Sequence, residues 1–127
     1  MRDQPRLLIL MLFISAGAVL GANLRFLVYR NLGQHMGLHV VNIVGSFLFG
    51  LIATYLGSRT GGSGYWGPFL LVGALGSFTT FSSYTYLFLS EIQSKQIMGI
   101  VQMGIYHNII SLLAIWLGIS IGSWGAR

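Results

Sequence analysis

The chain has 127 residues, of which 54% are hydrophobic and only 7% are charged. A soluble domain has roughly 25% charged residues, so this chain has too few charges to cover its surface with polar groups. The composition excludes a soluble globular protein. It predicts an integral membrane protein with a single domain over residues 1–127.

The reactive and charged side chains are few and dispersed. The net charge of +5 comes from basic residues near the ends of apolar runs, so we expect no nucleic-acid partner. The chain has no cysteine, which excludes disulfides and Cys-based metal sites. Asp3 and Glu91 are the only carboxylates and lie far apart in sequence. A paired-carboxylate hydrolase is therefore not expected, and we predict that the protein is not an enzyme.

Four apolar stretches are long enough to cross a membrane. The predicted spans are residues 7–24, 38–56, 68–90 and 97–121, joined by connections at 31–37, 57–67 and 90–96. A signal peptide is the alternative for the first stretch, but the remaining chain is equally apolar. The pattern predicts an all-α membrane protein with four transmembrane helices.

The basic residues are divided almost evenly between the two sides that four spans would define. The side of both chain ends carries Arg2, Arg6, Arg59 and Arg127. The opposite side carries Arg25, Arg30 and Lys95. Orientation follows an excess of basic residues on the cytoplasmic side, and a split of four to three barely supplies one. We therefore predict that the chain inserts in both orientations, which permits antiparallel dimers.

Three polar side chains in or beside the spans have two interpretations each. Asn42 either lines a pore or joins two helices, because an amide in hydrocarbon needs a partner or water. Arg25 either extends to the membrane interface or donates to carbonyls of a neighbouring helix. His107, four residues before Ser111, either lines an ion path or is a neutral histidine hydrogen-bonded between helices.

The stretch 73–86 is crowded with hydroxyls, glycines and aromatics, although it lies within an apolar region. Polar groups at membrane depth must line a cavity or be buried in protein. Gly73 and Gly76 allow close backbone approach or a break, and the β-branched Thr79 and Thr80 hold a helix poorly. This stretch therefore predicts a third helix that is broken in the middle of the membrane, and it is the predicted functional site.

Three motifs in this order resemble those of the fluoride ion channel (Fluc/CrcB) family, and the resemblance covers essentially the whole chain. They are Gly-Ala-Asn-Leu-Arg-Phe at 21–26, Val-Asn-Ile-Val-Gly-Ser-Phe at 41–47 and Gly-Ala-Leu-Gly-Ser-Phe-Thr-Thr-Phe-Ser-Ser-Tyr at 73–84. The chain departs from the family pattern at three places. Tyr84 replaces the second phenylalanine of the aromatic box, His107 replaces a serine, and residues 85–87 lack a glutamate.

The resemblance implies a channel that exports cytoplasmic fluoride passively across the cell membrane and so confers resistance to fluoride. It also implies a dual-topology antiparallel homodimer in the lipid bilayer, with two pores. The positions that line the fluoride path in that family match Asn42, Phe81 and Tyr84 here. A polar track from the third and fourth helices is matched by Ser82, Ser83, His107 and Ser111.

The same resemblance implies a structural sodium ion on the dimer axis. In that family the ion is held by backbone carbonyls of the broken helix, which match those of Gly76 and Thr79. The matched motifs also contain Arg25, Gly45 and Gly73, which we expect to be structural.

The chemistry of the residues agrees with an anion pore. Amide and hydroxyl groups donate hydrogen bonds, and aromatic rings are electropositive at their edges, so both can replace part of the water around fluoride. Two other classes remain possible at this point. A small dual-topology multidrug exporter needs a membrane-embedded carboxylate, and Glu91 lies at a connection. A non-transporting assembly protein would explain Asn42 and the glycines, but not the alternation of aromatics and hydroxyls.

Overall fold

The structure, a computed structural model, describes residues 4–58 and 64–125, with side chains from Arg6 onward, and these residues are helical with no strand. Helix α1 is Gln4–Leu32 and α2 is Gln34–Gly57. Helix α3 (68–78) consists of a π-helical stretch, Pro68–Leu75, and an α-helical turn, Gly76–Phe78. Helix α4 is Phe81–Gln93. Helix α5 (97–125) consists of Ile97–Val101, a π-helical stretch Gln102–His107, and Asn108–Gly125.

Three of the four predicted spans are continuous helices. The stretches Arg6–Leu32, Gln34–Gly57 and Ile97–Gly125 are long and apolar enough to cross a membrane. The remaining span is divided between α3 and α4, which are separated by two extended residues, Thr79 and Thr80. The prediction of a broken third helix is therefore confirmed.

The first predicted connection, 31–37, is wrong. Only Gly33 separates α1 from α2, and its φ of 77° lies in the left-handed region that glycine adopts without strain. Backbone hydrogen bonds continue on both sides of it, from Gly33 N to Tyr29 O and from Gly37 N to Gly33 O, both 2.9 Å. Gly21 and Gly45, each twelve residues from Gly33, both lie against Phe78, so the chain reverses at this glycine. Residues 59–63 of the second predicted connection, which include Arg59, lie outside the described residues, as do Arg2 and Arg127.

Close glycine contacts show the direction in which the helices run. Along α1, Gly17 lies against Phe69 and Gly73 of α3, and Gly21 lies further on, against Ala74 and Phe78. The two helices are therefore parallel. Helices α2 and α5 are also parallel, because Gly118 lies against Phe47 and Leu51, and Gly122 against Leu51 and Thr54. Together with the reversal at Gly33, this gives alternating directions for successive spans.

The glycines at these contacts cannot be enlarged. A Cβ at Gly118 would overlap the carbonyl oxygen of Phe47, and it would lie 2.9 Å from Leu51 N. Both are backbone atoms of a packed helix and cannot move aside. We expect Gly118→Val to lower the free energy of unfolding by about 1–3 kcal/mol, measured by equilibrium unfolding in detergent micelles. Gly125→Val is the matched control near the end of the same helix, where a Cβ meets nothing within 4 Å. Equal stabilities of the two variants would contradict this packing.

Helix α4 is held against α2 and α5 by a small apolar core. Leu38, Tyr84, Leu87 and Met103 are buried there, with exposed fractions of at most 8%. These residues come from three helices, so the core determines where the broken helix resumes after Thr80. The start of α4 is thereby placed beside Asn42 and His107.

Candidate functional site

The break in the third span is stabilised by a side chain from α2. Thr79 and Thr80 are extended, with ψ angles of 160° and 123°. In a continuous α-helix the Thr80 N–H would donate to the carbonyl of Gly76, but here it donates to Asn42 Oδ1 at 2.9 Å. The Asn42 amide returns a hydrogen bond from Nδ2 to Thr80 O at 3.0 Å. Asn42 therefore satisfies both backbone groups of Thr80 and joins α2 to the break.

Both helix ends at the break are capped. Arg25 Nη1 donates to Thr79 O at 3.2 Å, and this places a positive charge at the carbonyl end of α3, where the helix dipole favours it. Of the two interpretations of Arg25, the structural donor is confirmed. Thr80 Oγ1 accepts from Ser83 N at 3.2 Å and so caps the start of α4.

An open cavity of about 290 Å³ lies next to the break, between α2, α4 and α5. It brings together seven of the predicted site residues: Asn42, Gly45, Thr79, Phe81, Tyr84, His107 and Ser111. Its wall also includes five residues that were not predicted: Ser46, Phe49, Thr80, Asn108 and Ile115. Residues far apart in sequence thus surround one partly polar space.

Three rings are stacked along one side of this cavity. The Phe81 and Tyr84 centroids are 5.6 Å apart with an angle of 28° between the ring planes. Tyr84 also stacks on His107, with centroids 5.1 Å apart and an angle of 20°. Phe81 is 75% exposed in the single chain, whereas Tyr84 and His107 are buried. Only the first ring of the stack is accessible from outside the single chain.

The Tyr84 hydroxyl is used to hold α5 in place. It donates to Met103 O at 3.2 Å and accepts from Asn108 Nδ2 at 2.9 Å. Met103 lies in the π-helical stretch of α5, where wider turns leave carbonyls available to side chains. The extra hydroxyl of Tyr84 is thus paired with its neighbours, while its ring contributes to the cavity wall. Asn108 was missed, and its position beside His107 in an apolar run was the available signal.

Ser111 lines the cavity, and its hydroxyl is unpaired. Its Oγ is buried and has no hydrogen-bond partner among residues 4–58 and 64–125. Other hydroxyls in these helices donate to the carbonyl one turn back, as Thr54 does to Gly50 O at 2.8 Å and Ser120 to Trp116 O at 2.9 Å. The Ser111 hydroxyl is therefore a donor without a protein acceptor in the single chain.

The other predicted hydroxyls lie elsewhere. Ser82 and Ser83 are absent from the cavity wall, and their Oγ atoms lie 3.3 and 3.2 Å from Thr80 Oγ1. They belong to the first turn of α4, where the capping threonine attracts them, so the structure does not bring them to Ser111. Gly73 packs against Ile14 and Gly17 of α1, away from the cavity, as expected for a structural glycine.

His107 lies between two helices and also beside the cavity. It is 5% exposed and its Nδ1 lies 2.7 Å from Nδ1 of His39 on α2, so it is hydrogen-bonded between helices. It also lines the cavity, where its Nε2 lies 3.4 Å from Asn42 Nδ2. His39 was missed by the sequence analysis, and the signal was a second histidine in an apolar span. Within the described part of the chain, no three His, Cys, Asp or Glu side chains are close enough to hold a metal ion.

Comparison with known proteins identifies the family to which this chain belongs. The family model described as "CrcB-like protein, Camphor Resistance (CrcB)" matches residues 12–119, most of the chain. The protein belongs to the CrcB-like family. A protein of Rhodospirillum rubrum named "Fluoride-specific ion channel FluC" is 35% identical over 115 residues, which cover 84% of this chain and 89% of the relative. One of Hydrogenovibrio crunogenus with the same name is 36% identical over 116 residues, which cover 86% and 87%.

A third relative of that name, from Acidobacterium capsulatum, is 33% identical over 119 residues, which cover 88% of this chain and 94% of the relative. The resemblance to the Fluc/CrcB family, which was based on three motifs, is therefore confirmed. The matched region of the CrcB-like chain runs from α1 through the break to α5. With its apolar helices, this CrcB-like chain is a multi-pass integral membrane protein, of the inner membrane in bacteria.

Proposed function

We propose that this CrcB-like protein is a fluoride-selective channel that lets cytoplasmic fluoride leave the cell passively. The observation that carries the proposal is its similarity, over 84–88% of its length, to proteins named fluoride-specific ion channels. As a channel it has no catalytic residues, and its ligand is the fluoride ion itself. We further propose that residues 1–127 form one transmembrane domain with four spans.

The cavity beside the break has the chemistry that a fluoride path needs. Fluoride must exchange its water for hydrogen-bond donors that do not retain it, and a fixed cation would bind it too tightly. Ser111, which lines the cavity, has an unpaired hydroxyl donor, and Phe81, whose ring is electropositive at its edge, is largely exposed. The start of α4, at Thr80 and Phe81, adds the positive end of a helix dipole. Each contribution is weak, so the ion can leave.

Fluoride efflux from liposomes tests this proposal. Purified protein is reconstituted into liposomes loaded with potassium fluoride, and release is started with valinomycin and followed with a fluoride electrode. We expect rapid release of fluoride and none of chloride under the same conditions. Efflux at the rate of protein-free liposomes would contradict the proposal, and release that requires a proton gradient would indicate an exporter instead.

We also propose that the channel is an antiparallel homodimer with two pores in the lipid bilayer. The nearly even division of basic residues supports insertion in both orientations. In the single chain the cavity is open beside Phe81, whose ring is 75% exposed, and a second chain could close that side. The parallel pairing of alternate spans supports the four-span topology that this arrangement requires.

Cysteine labelling should detect both orientations. The chain has no cysteine, so a single one can be introduced at Ser58, after α2, or at Ser94, after α4, both of which are exposed. With a membrane-impermeant maleimide, we expect about half of each variant to be labelled from outside intact cells, since either orientation is equally favoured. Labelling of one variant only, from one side only, would contradict the antiparallel dimer.

We propose, finally, a structural sodium ion on the dimer axis, held by carbonyl oxygens of the break. Such hard cations prefer oxygen ligands, and the Gly76 carbonyl has lost the Thr80 N–H that a continuous helix would give it. The Thr79 carbonyl fits less well, because Arg25 already donates to it and a guanidinium beside a cation is repulsive. Dimer stability compared in sodium and N-methylglucamine buffers tests this, and equal stability would contradict it.

A further inference from the structure

A chain of hydrogen bonds begins in the cavity wall at Asn42, and the direction of each bond can be assigned. The Asn42 amide is oriented by Thr80, because the Thr80 N–H identifies Oδ1 as the acceptor and the Thr80 carbonyl identifies Nδ2 as the donor. The group that Asn42 turns towards His107 is therefore an N–H. It follows that His107 Nε2 is an acceptor.

The direction of this contact determines the tautomers of both histidines. A neutral imidazole carries one proton, so His107 with an accepting Nε2 must carry its proton on Nδ1. That Nδ1–H donates to His39 Nδ1, 2.7 Å away. His39 Nδ1 is then an acceptor, and His39 must carry its own proton on Nε2. The hydrogen bonds run from Asn42 to His107 and from His107 to His39.

We propose that His39 is a positioning residue of the fluoride path, acting through His107. His39 does not line the cavity beside the break. It lines a second, largely apolar cavity of about 400 Å³, together with Met36, Ile43 and Tyr106. His107 lines both cavities. By accepting the Nδ1 proton, His39 keeps His107 Nε2 free to accept from Asn42. The inference rests on the proposed function, since it gives His39 a role in the same pathway.

Loss of the His39 acceptor would change the cavity wall. The buried Nδ1–H of His107 would lose its partner, which favours the other tautomer, with the proton on Nε2. That proton would then point at the Asn42 amide, so two donors would face each other. The His107 ring is also stacked on Tyr84, and a shift of this ring would disturb the aromatic stack. His39 thereby influences the path without contacting the ion.

The test compares two substitutions that have the same number of side-chain heavy atoms and the same branch at Cγ. His39→Leu removes the acceptor, whereas His39→Asn keeps an oxygen near the position of Nδ1. We expect His39→Leu to slow fluoride efflux about two- to tenfold, the usual effect of one lost hydrogen bond, and His39→Asn to stay close to wild type. His35→Leu, one turn earlier on α2, is the control, because His35 pairs with Glu91 at 3.6 Å and lines neither cavity.

The tautomer of His107 can be measured by ¹⁵N NMR of protein with labelled histidines. If His39 served only in packing, its substitution would leave this tautomer unchanged. We expect the Nδ1–H tautomer of His107 in wild type and His39→Asn, and a substantial Nε2–H population in His39→Leu. If the leucine variant does not fold, His39→Phe, which keeps a planar ring without the acceptor, replaces it.

An unchanged His107 tautomer in a folded leucine or phenylalanine variant would overturn the inference, whatever the efflux rate. A wild-type rate in that variant would overturn it too. Absence of fluoride efflux from the wild-type protein is a different result, which would contradict the proposed function instead.

Discussion

A Phe81→Ile variant is expected to fold normally and to release fluoride no faster than protein-free liposomes do. Phe81 is the first residue of α4, it lines the cavity, and its ring is 75% exposed. Isoleucine keeps apolar bulk but has no electropositive ring edge. It also removes the outer ring of the stack on Tyr84, whose centroid lies 5.6 Å away. The first group that could take over part of the ion's hydration would be lost.

A matched control is Phe26→Ile. Phe26 is 62% exposed on α1 and does not line the cavity, so its ring has no part in the proposed path. This variant should release fluoride at the wild-type rate. Size-exclusion chromatography in detergent verifies that both variants have the oligomeric state of the wild-type protein. Wild-type efflux from a folded Phe81→Ile protein would show that the ring contributes only to packing and not to the fluoride path.

Asn42→Asp is the second substitution for which we expect complete loss of efflux. Aspartate has nearly the same shape as asparagine, but as a carboxylate it has no N–H to donate. Thr80 O and His107 Nε2 would lose their donor, while the Thr80 N–H would keep its acceptor. The negative charge would also face the cavity through which an anion must pass. Electrostatic repulsion and loss of the donor act in the same direction.

The same exchange at an exposed position provides the control. Asn31 lies in the last turn of α1, where its Nδ2 donates to Leu27 O at 2.7 Å and the side chain is exposed. Asn31→Asp also replaces an amide by a carboxylate, but at a distance from the break, and we expect efflux within about twofold of wild type. The measurement is again fluoride release from liposomes. Equal rates for the Asn42 and Asn31 variants would exclude Asn42 from the path.

The locations of the spans could be predicted from the sequence because they depend on composition alone. Long apolar stretches must form helices in a membrane, where each backbone group has to find a partner within its own segment. The break could also be predicted, since hydroxyls, glycines and two adjacent β-branched residues are incompatible with a lipid-facing helix. The end of α1 was missed, because nothing local distinguishes a glycine that reverses the chain, Gly33, from one inside a longer loop.

The roles of individual polar residues were harder to predict. Ser82, Ser83 and Ser111 all read as candidate pore hydroxyls, but only Ser111 is at the cavity. The difference arises at Thr80, whose Oγ1 caps α4 and is hydrogen-bonded to the Oγ atoms of Ser82 and Ser83. Likewise, the hydroxyl of Tyr84 donates to the Met103 carbonyl, nineteen residues away, and no local pattern indicates this partner.

Local composition and spacing were enough to predict a helical membrane protein with a polar interruption in its third apolar stretch. Which atoms meet at that interruption depends on how the helices pack. Asn42 reaches Thr80 across 38 residues, and His39 reaches His107 across 68. Such contacts depend on the parallel packing of α2 and α5 and on the core that positions α4. No local sequence pattern predicts these contacts, because the hydrogen bonds form only once the helices have packed.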